Sequence, residues 1–575
     1  MKKDNSMMAA IAAISVLSVF LFSQEEPEKL SPGGFLLLIL IAAGVNGYCL
    51  VRKKSRENRR LVLLCSCMGI FTAGLIVLAG KLKYHGEEYP GIIVWEGIIV
   101  FLAVLGWCFV CLRAEGGVTE NTVLLILFGG FLIRVFYVVL TQSHILQNDL
   151  GNLAPDDYGH MGYVYYIYAN GRIPDLNPMD YYQYYQPPLH HAVCAALLKI
   201  FGFFGFGLQE GQELLQIPAV LYGTMALFFV NKIGLRLRLP VAGRAVGLGF
   251  AAFLPFGIMS GGALNNDGLM QLLMVMALYF TMVWYENPGY KEIILMAVCI
   301  GCSMMAKLSG ALAAPAMAIL MLWKAWQDRA HVKVYVKQFL CFGLIAFPLG
   351  LWYSVLRYIQ FRMPFGFIST LPIDVEQFVG GHMGWARFLD FSQAFQSLSL
   401  RWGGREGADY NIPVTMVKYA VFGEADCYRI NSVLYITGTG LFWATFLLGI
   451  LMAVAFAVWM VQRGNTVLEK TFVAAIVVFS MFSYVKFNLM YPFVCTMNLR
   501  YIQVALYLCL MILGAAAAGM AENSSPADCD VNLSASNFQT CSNRLKIFRA
   551  AAVGFVGAYM AGAVVLIVQL DQLVH

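Results

Sequence analysis

Apolar runs of about 20 residues recur along almost the entire chain, with polar segments between them. A run of this length crosses the hydrocarbon core of a bilayer as a helix, which satisfies its own backbone hydrogen bonds. A membrane barrel would instead show alternating segments of about ten residues. The pattern predicts an all-α polytopic membrane protein with about 15 transmembrane helices, at 7–23, 34–51, 61–80, 93–112, 121–141, 213–235, 241–261, 266–286, 290–306, 309–326, 337–358, 433–461, 469–489, 498–520 and 547–570.

The basic residues between these helices predict the orientation of the chain. The loop after the second helix holds six lysines and arginines between positions 52 and 60, and such a cluster marks the cytoplasmic side. Counting forward, the two large polar segments, 142–210 and 360–431, lie outside the cytoplasm. The apolar piece 189–206 is then expected to lie along the outer surface without crossing, because only in that case do the later basic loops fall inside.

Composition narrows the class of protein. Of the 575 residues, 59% are hydrophobic and 13% charged, and the mean hydropathy is +0.68, whereas soluble proteins carry about 25% charged residues. The net charge of +6 suits residues that orient membrane helices, so membrane lipids are expected partners and nucleic acid is not. The chain has no GxxxxGK[ST] loop for a nucleotide phosphate.

The first outer segment contains NLAPDDYGHMGY, which places two adjacent carboxylates just ahead of a histidine. Neighbouring carboxylates repel each other, so one pKa rises, which suits a group that accepts a proton from a hydroxyl. Carboxylate oxygens also bind divalent metal ions. A structural interpretation is equally open, because an aspartate in front of YGHMGYVYYI caps the helix that follows. The spacing alone does not decide between these roles for Asp156 and Asp157.

Three further polar sites fall at the same predicted membrane face. Asn266 and Asp267 stand at the outer end of a helix, where they could simply cap the next one. Lys307 lies between two apolar helices, where a charge is costly and indicates function with an anionic partner. Arg500 begins a late helix and either reaches lipid headgroups or binds a phosphate bidentately. Carboxylates, cations and aromatic residues therefore converge on one outer face.

Several motifs together resemble the GT-C superfamily of membrane glycosyltransferases. More narrowly, they are similar to family-39-like relatives of protein O-mannosyltransferases and aminoarabinose transferases. In chain order the motifs are PDDYGHMGYVYYIYANGRIPD, YYQPPLHH, GGALNNDGL, AKLSG, NIPVTMVKYAVFGE and NLRYIQVAL. The resemblance covers about residues 121–515. Two positions depart from the family pattern, since Asp157 stands where glutamate is common and Gln186 replaces the histidine before the paired prolines.

The resemblance implies an enzyme that moves a sugar from a polyprenyl phosphate to a hydroxyl or amine outside the cytoplasm, with inversion. Asp156 matches the family's acidic residue and is expected to act as general base, with Asp157 beside it. Lys307 and Arg500 are expected to bind the donor phosphate. The residues expected to contact substrate are His160, Tyr163, His190, His191, Asn266 and Asp267. A divalent metal, in the metal-dependent case, would bind to Asp156 and Asp267, and the acceptor is a glycan, a lipid or a protein.

Two alternatives share these features: a transporter or flippase of a lipid-linked sugar, and a non-catalytic subunit of polysaccharide assembly. Against transport, the chain shows no internal repeat and its polar residues gather at one face instead of the bilayer midplane. The predicted organisation is four helices of unassigned role in 1–115, a catalytic membrane domain at 121–515, a cytoplasmic linker at 521–546 and a last helix in 547–575. A bacterial-type plasma membrane is the expected location, with the active site facing outward.

Overall fold

A computed structural model describes residues 118–523 and 551–569, apart from 156, 204, 383, 404–406, 426–431 and 463–464. The first four predicted helices and positions 524–546 of the predicted linker lie outside the described residues. The described chain is built from helices. Their bounds are Glu120–Leu140, Gly159–Asn170, Leu189–Phe203, Leu208–Leu214, Gln216–Arg236, Val241–Phe253, Pro255–Met259, Asp267–Glu286, Tyr290–Ala306, Ala314–Gln327, Val332–Phe361, Ala386–Leu389, Ile412–Phe422, Ser432–Val461, Val467–Met490, Gln503–Asn523 and Ala551–Gln569.

Eight helices of the described part are long and apolar enough to cross a bilayer, and a ninth span results if one bent pair counts as a single span. The chain is therefore an all-α integral membrane protein with multiple spans. Two predicted full spans come out short. The helix Tyr290–Ala306 has 17 residues, and the apolar part of the helix after Arg500 ends at Gly519.

The predicted helix at 241–261 is broken in the structure. Its two pieces, Val241–Phe253 and Pro255–Gly262, meet at an angle of 65°. Pro255 has no backbone N–H and its ring excludes the preceding residue from helical geometry, so Leu254 is extended, with φ −61° and ψ 120°. The break turns the chain toward the loop that carries Asn266 and Asp267.

Small residues let two apolar helices approach closely. The helix Val241–Phe253 packs against Gln503–Asn523, and it carries Gly243 and Gly247 four residues apart. A Cβ atom on Gly247 would lie 2.6 Å from the carbonyl oxygen of Leu510. Such a GxxxG spacing lets helix backbones approach each other inside a membrane. The contact holds in place the helix that follows the turn bearing Arg500.

We expect the substitution Gly247→Leu to destabilise the protein by about 1–3 kcal/mol or more, because the new side chain would overlap the facing backbone. The loss would appear as a lower midpoint of thermal denaturation in detergent. Gly449→Leu is the matched control, since a Cβ atom at Gly449, also within an apolar span, meets nothing within 4 Å. Equal midpoints for the two variants would contradict the close contact.

The two predicted outer segments fold into short helices and turns. In the first, Leu189–Phe203 is a 15-residue apolar helix that packs against Gly159–Asn170. It is too short to count among the spans of the described chain, and its position along the outer surface stays a prediction. In the second, Ile412–Phe422 places Lys418 against Asp409, with Lys418 Nζ 2.9 Å from a carboxylate oxygen and both side chains fully buried.

Candidate active site

A cavity of about 1060 Å³ lies where both outer segments meet the ends of the helices. Its walls contain aromatic and apolar side chains and a group of polar ones. Within the described lining, the charged side chains and the imidazole belong to Asp149, His160, Lys307, Glu424 and Arg500. Residues far apart in sequence are thus brought to one site.

The two cations of this cavity form a continuous network with two carboxylates, Asp149 in the lining and Asp267 next to it. Lys307 donates from Nζ to Asp267 Oδ1 at 2.7 Å, and Arg500 donates from Nη1 to Asp149 Oδ2 at 2.8 Å. Arg500 Nε lies 3.7 Å from Asp267 Oδ2, so its guanidinium stands between the two carboxylates. Lys307 and Arg500 keep 14% and 15% of their side chains accessible, which leaves both cations able to meet an anion.

Breaks in the helices place these cations. The helix Tyr290–Ala306 ends at Lys307, whose backbone is extended (φ −159°, ψ 132°) before a 3-10 turn begins. Arg500 belongs to the short turn Leu499–Tyr501, which is capped by Asn498. Neither residue therefore lies in the middle of a regular apolar helix, where a charge would be costly.

Asp149 is held in its ionised form. Burial alone would raise the pKa of Asp149, but Arg500 and His160 outweigh it and hold that pKa well below the ordinary value. His160 Nε2 lies 3.6 Å from the carboxylate. A carboxylate with so low a pKa is a poor proton acceptor, so Asp149 is better suited to holding Arg500 in position.

The predicted substrate residues of the first outer segment form a buried aromatic stack, of which His160 alone belongs to the described cavity lining. His160 Nδ1 lies 3.0 Å from His191 Nε2. The ring of Tyr163 stacks on His191, with centroids 4.2 Å apart. His190 Nε2 faces Cys194 Sγ at 3.6 Å. Burial lowers the pKa of His190 to about 3 and that of His191 well below its ordinary value, so both rings are neutral.

The remaining predicted site residues take different positions. Asp156 lies outside the described residues. The carboxylate of Asp157 accepts hydrogen bonds from Asn152 Nδ2 at 2.9 Å and from the N–H of Tyr158 at 2.7 Å, so it braces the turn before Gly159–Asn170. Asn266 is 1% exposed and donates from Nδ2 to the carbonyl of Ala306 at 3.0 Å, which fixes the residue before Lys307.

Comparison with known proteins bears directly on this arrangement. Residues 185–352 match the family model described as dolichyl-phosphate-mannose-protein mannosyltransferase. This match covers the central segment of the chain, from the first outer segment to the helix Val332–Phe361. The match supports the class predicted from the motifs, a membrane glycosyltransferase of the GT-C type that uses a polyprenyl-phosphate sugar as donor. No curated protein matches the chain.

Three solved structures are similar to the chain at low identity. ArnT from Cupriavidus metallidurans bound to undecaprenyl phosphate has a TM-score of 0.42 and 15% identity over 78% of this chain and 77% of its own. Apo ArnT has a TM-score of 0.40 and 14% identity over 82% and 78%. The oligosaccharyltransferase from Archaeoglobus fulgidus, tethered to an acceptor peptide containing the NVT sequon, has a TM-score of 0.44 and 12% identity over 77% of this chain and 55% of its own.

The family segment contains only part of the cavity network. Lys307 and its partner Asp267 lie within 185–352, whereas Asp149, Glu424 and Arg500 lie outside it. The network is completed by both outer segments, so the family match by itself could not have located it.

Two cavity residues were not assigned a role from sequence. Asp149 precedes the Asp156–Asp157 pair by seven residues, and NDLGNL has no recognisable spacing that would mark it. Glu424 is the last residue of the motif NIPVTMVKYAVFGE, but the motif does not indicate that its side chain faces the cavity. In the structure, Glu424 accepts hydrogen bonds from the N–H of Asn148 at 3.1 Å and from Asn498 Nδ2 at 3.0 Å.

The described residues contain no group of three or more histidine, cysteine, aspartate or glutamate side chains with metal-binding geometry. Asp267 is instead engaged by Lys307 and Arg500. Its predicted metal partner, Asp156, lies outside the described residues, so a divalent metal on this pair stays a prediction.

Proposed function

We propose that this glycosyltransferase moves a sugar from a polyprenyl phosphate to a hydroxyl or amine of an acceptor outside the cytoplasm, with inversion at the anomeric carbon. The observation that carries the proposal is the cavity of about 1060 Å³, whose lining contains both Lys307 and Arg500 and a set of apolar side chains. A lipid-linked donor needs both features, because it joins an anionic phosphate to a long hydrocarbon chain.

The two ends of the donor have matching surroundings. Lys307 and Arg500 offer several N–H donors to phosphate oxygens, and charge-assisted bonds of this kind are the stronger ones. Leu312 and Phe487 line the same cavity and belong to the apolar spans Leu308–Gln327 and Val467–Met490. A polyprenyl chain dissolved in the bilayer would reach the cavity between such helices.

The transfer step then needs only one displacement. The acceptor oxygen or nitrogen forms a bond to the anomeric carbon from the face opposite the phosphate, and Asp156 takes the proton. The bond between that carbon and the phosphate oxygen breaks, and its electron pair leaves with the phosphate. Lys307 and Arg500 stabilise the charge that develops there. No covalent intermediate on the protein is required.

The proposal is tested by following radiolabel from a panel of polyprenyl-phosphate sugars to acceptors in crude membranes, with purified protein. Wild type is expected to transfer label, and Asp156→Asn is expected to lower the rate by about 100-fold or more, because amides cannot accept the proton. Asp175→Asn is the matched control, since Asp175 is an exposed carboxylate of the same outer segment. It should retain the wild-type rate.

The other outcomes are informative. Equal transfer by wild type and Asp156→Asn would show that Asp156 is not the base. Movement of intact donor across a vesicle membrane without transfer would support the transporter or flippase alternative. Donor binding with neither transfer nor movement, for every sugar and acceptor, would favour the non-catalytic subunit.

A further inference from the structure

Glu424 is held at a defined place in the cavity wall. It follows Gly423, whose φ of +60° turns the chain out of the helix Ile412–Phe422, and it is half-buried. Oε2 accepts from the backbone of Asn148, and Oε1 accepts from the side chain of Asn498. Both donors are close in sequence to charged residues of the cavity: Asp149 directly follows Asn148, and Arg500 comes two residues after Asn498.

Asn498 couples Glu424 to the proposed phosphate site. Its Oδ1 accepts from the N–H of Arg500 at 3.0 Å, while its Nδ2 donates to Glu424 at 3.0 Å. A single side chain therefore fixes both the turn that presents Arg500 and the orientation of the Glu424 carboxyl group. A phosphate bound by Arg500 would consequently have Glu424 as a neighbour.

The charges in the cavity determine which form of Glu424 can stand there. Lys307 and Arg500 already face Asp267 and Asp149, so these four charges cancel. An ionised Glu424 beside a phosphate monoanion would leave two negative charges, and the remaining basic side chain of the described lining, His160, already faces Asp149. The neutral acid, in contrast, can donate its O–H to a phosphate oxygen.

We propose that Glu424 binds the donor phosphate as a carboxylic acid and gives its proton to that phosphate when the bond to the sugar breaks. This inference rests on the proposed function. As the bond from the anomeric carbon to the phosphate oxygen breaks, the electron pair stays on the phosphate, the O–H proton of Glu424 moves to a phosphate oxygen, and Glu424 becomes a carboxylate. The acceptor's own proton goes to Asp156, so protons and charge balance.

The acidity of the group supports this role. Burial, opposed in part by Arg500, raises the pKa of Glu424 to about 7, with Asp149 adding to the increase. The titratable side chains that face Glu424 within the described chain are Arg500, Asp149, Tyr419 and Cys495. A phosphate monoester loses its second proton near pH 6. The pKa of Glu424, which donates the proton, is therefore close to that of the phosphate, which accepts it.

Proton uptake on binding tests the inference without any transfer. The probe is undecaprenyl methyl phosphate, a phosphodiester that has one charge and no titratable proton near neutrality. Calorimetry of the full chain in buffers of different ionisation enthalpy counts the protons taken up. Glu424 is largely ionised in the free protein at pH 8 and must be reprotonated, so wild type should take up close to one proton there and almost none at pH 6. Its dissociation constant should rise about tenfold over this range.

Two variants complete the design. Glu424→Gln cannot titrate, so the binding that it retains should show no proton uptake and no change in affinity between pH 6 and pH 8. Asp374→Asn, an exposed carboxylate of the same outer segment, should behave as wild type. The inference is overturned if wild type takes up no proton at pH 8, a result that needs no variant to fold. It is equally overturned if Glu424→Gln takes up the same proton.

Turnover separates this inference from the proposed function. Glu424→Gln should lower kcat by about 100-fold, because the amide cannot protonate the departing phosphate. If wild type transfers sugar and Glu424→Gln does so at the same rate, the function stands and the role of Glu424 is wrong. If wild type transfers no sugar but takes up the proton, the proposed function fails while the phosphate contact holds.

Discussion

Replacing Arg500 with methionine is expected to lower sugar transfer by about 1,000-fold. Removing one preorganised donor to a developing anion already costs about 100- to 1,000-fold. Arg500 should lie at the upper end, because its guanidinium also stands between Asp149 and Asp267. Without it, Asp149 loses its cation and the phosphate would meet uncompensated carboxylates. The initial rate of label transfer from a polyprenyl-phosphate sugar measures the effect.

Arg500→Lys separates charge from geometry. A lysine keeps one positive charge but has no planar fork to reach two carboxylates and a phosphate together, so we expect a smaller loss than in the methionine variant. Arg172→Met is the matched control, because Arg172 forms an exposed pair with Asp175 in the first outer segment and should transfer normally. Wild-type donor binding and turnover in Arg500→Met would contradict the assignment of Arg500 to the phosphate.

The positions of Lys307 and Arg500 could be predicted because a charge in an apolar stretch is conspicuous. Hydropathy predicts the spans and the basic loops predict the side of the membrane, so both residues fall at the same predicted face. Their exact partners could not be predicted. Asp149 lies in an ordinary polar loop, and nothing in its neighbours shows that it will face a residue 351 positions away. Such a contact depends on how helices pack, which periodicity does not encode.

The tyrosines of the first outer segment show a similar limit. From sequence they could anchor the protein at the interface or contact substrate. In the structure they divide, with Tyr158, Tyr182 and Tyr185 in the cavity lining, Tyr163 buried at 0% exposure and Tyr181 exposed at 37%. Neighbouring residues of one composition thus serve different surfaces, because a turn or a helix directs each ring separately.

The break in the span at Leu254 could not be predicted from the hydropathy pattern either. Apolar residues continue through 241–261, and hydropathy does not register the missing N–H of Pro255. The break matters for the site, because the second piece leads into the loop that places Asn266 behind Lys307. The spans can therefore be read from composition, whereas the cavity depends on where the helices are interrupted.

The second outer segment is built on the ion pair of Asp409 and Lys418, and Lys418→Met is expected to destabilise the protein by about 3–5 kcal/mol. The Asp409 carboxylate is fully buried, and Lys418 Nζ donates to both of its oxygens, at 3.0 and 2.9 Å. Without Lys418, the buried carboxylate keeps Arg401 as its remaining basic partner in the described chain, and breaking a buried pair in this way costs about 3–5 kcal/mol. A lower midpoint of thermal denaturation in detergent would report it.

The double variant Lys418→Met with Asp409→Leu distinguishes the lost pair from a simple packing defect. Removing both charges eliminates the orphaned carboxylate, so the double variant should be more stable than Lys418→Met alone. Arg401 Nε also lies 3.3 Å from Asp409. The double variant loses this contact, so its stability should recover only in part. Equal destabilisation in the single and double variants would mean that Lys418 contributes by packing.

Because Glu424 follows the helix that carries Lys418, Lys418→Met alone should also weaken binding of undecaprenyl methyl phosphate.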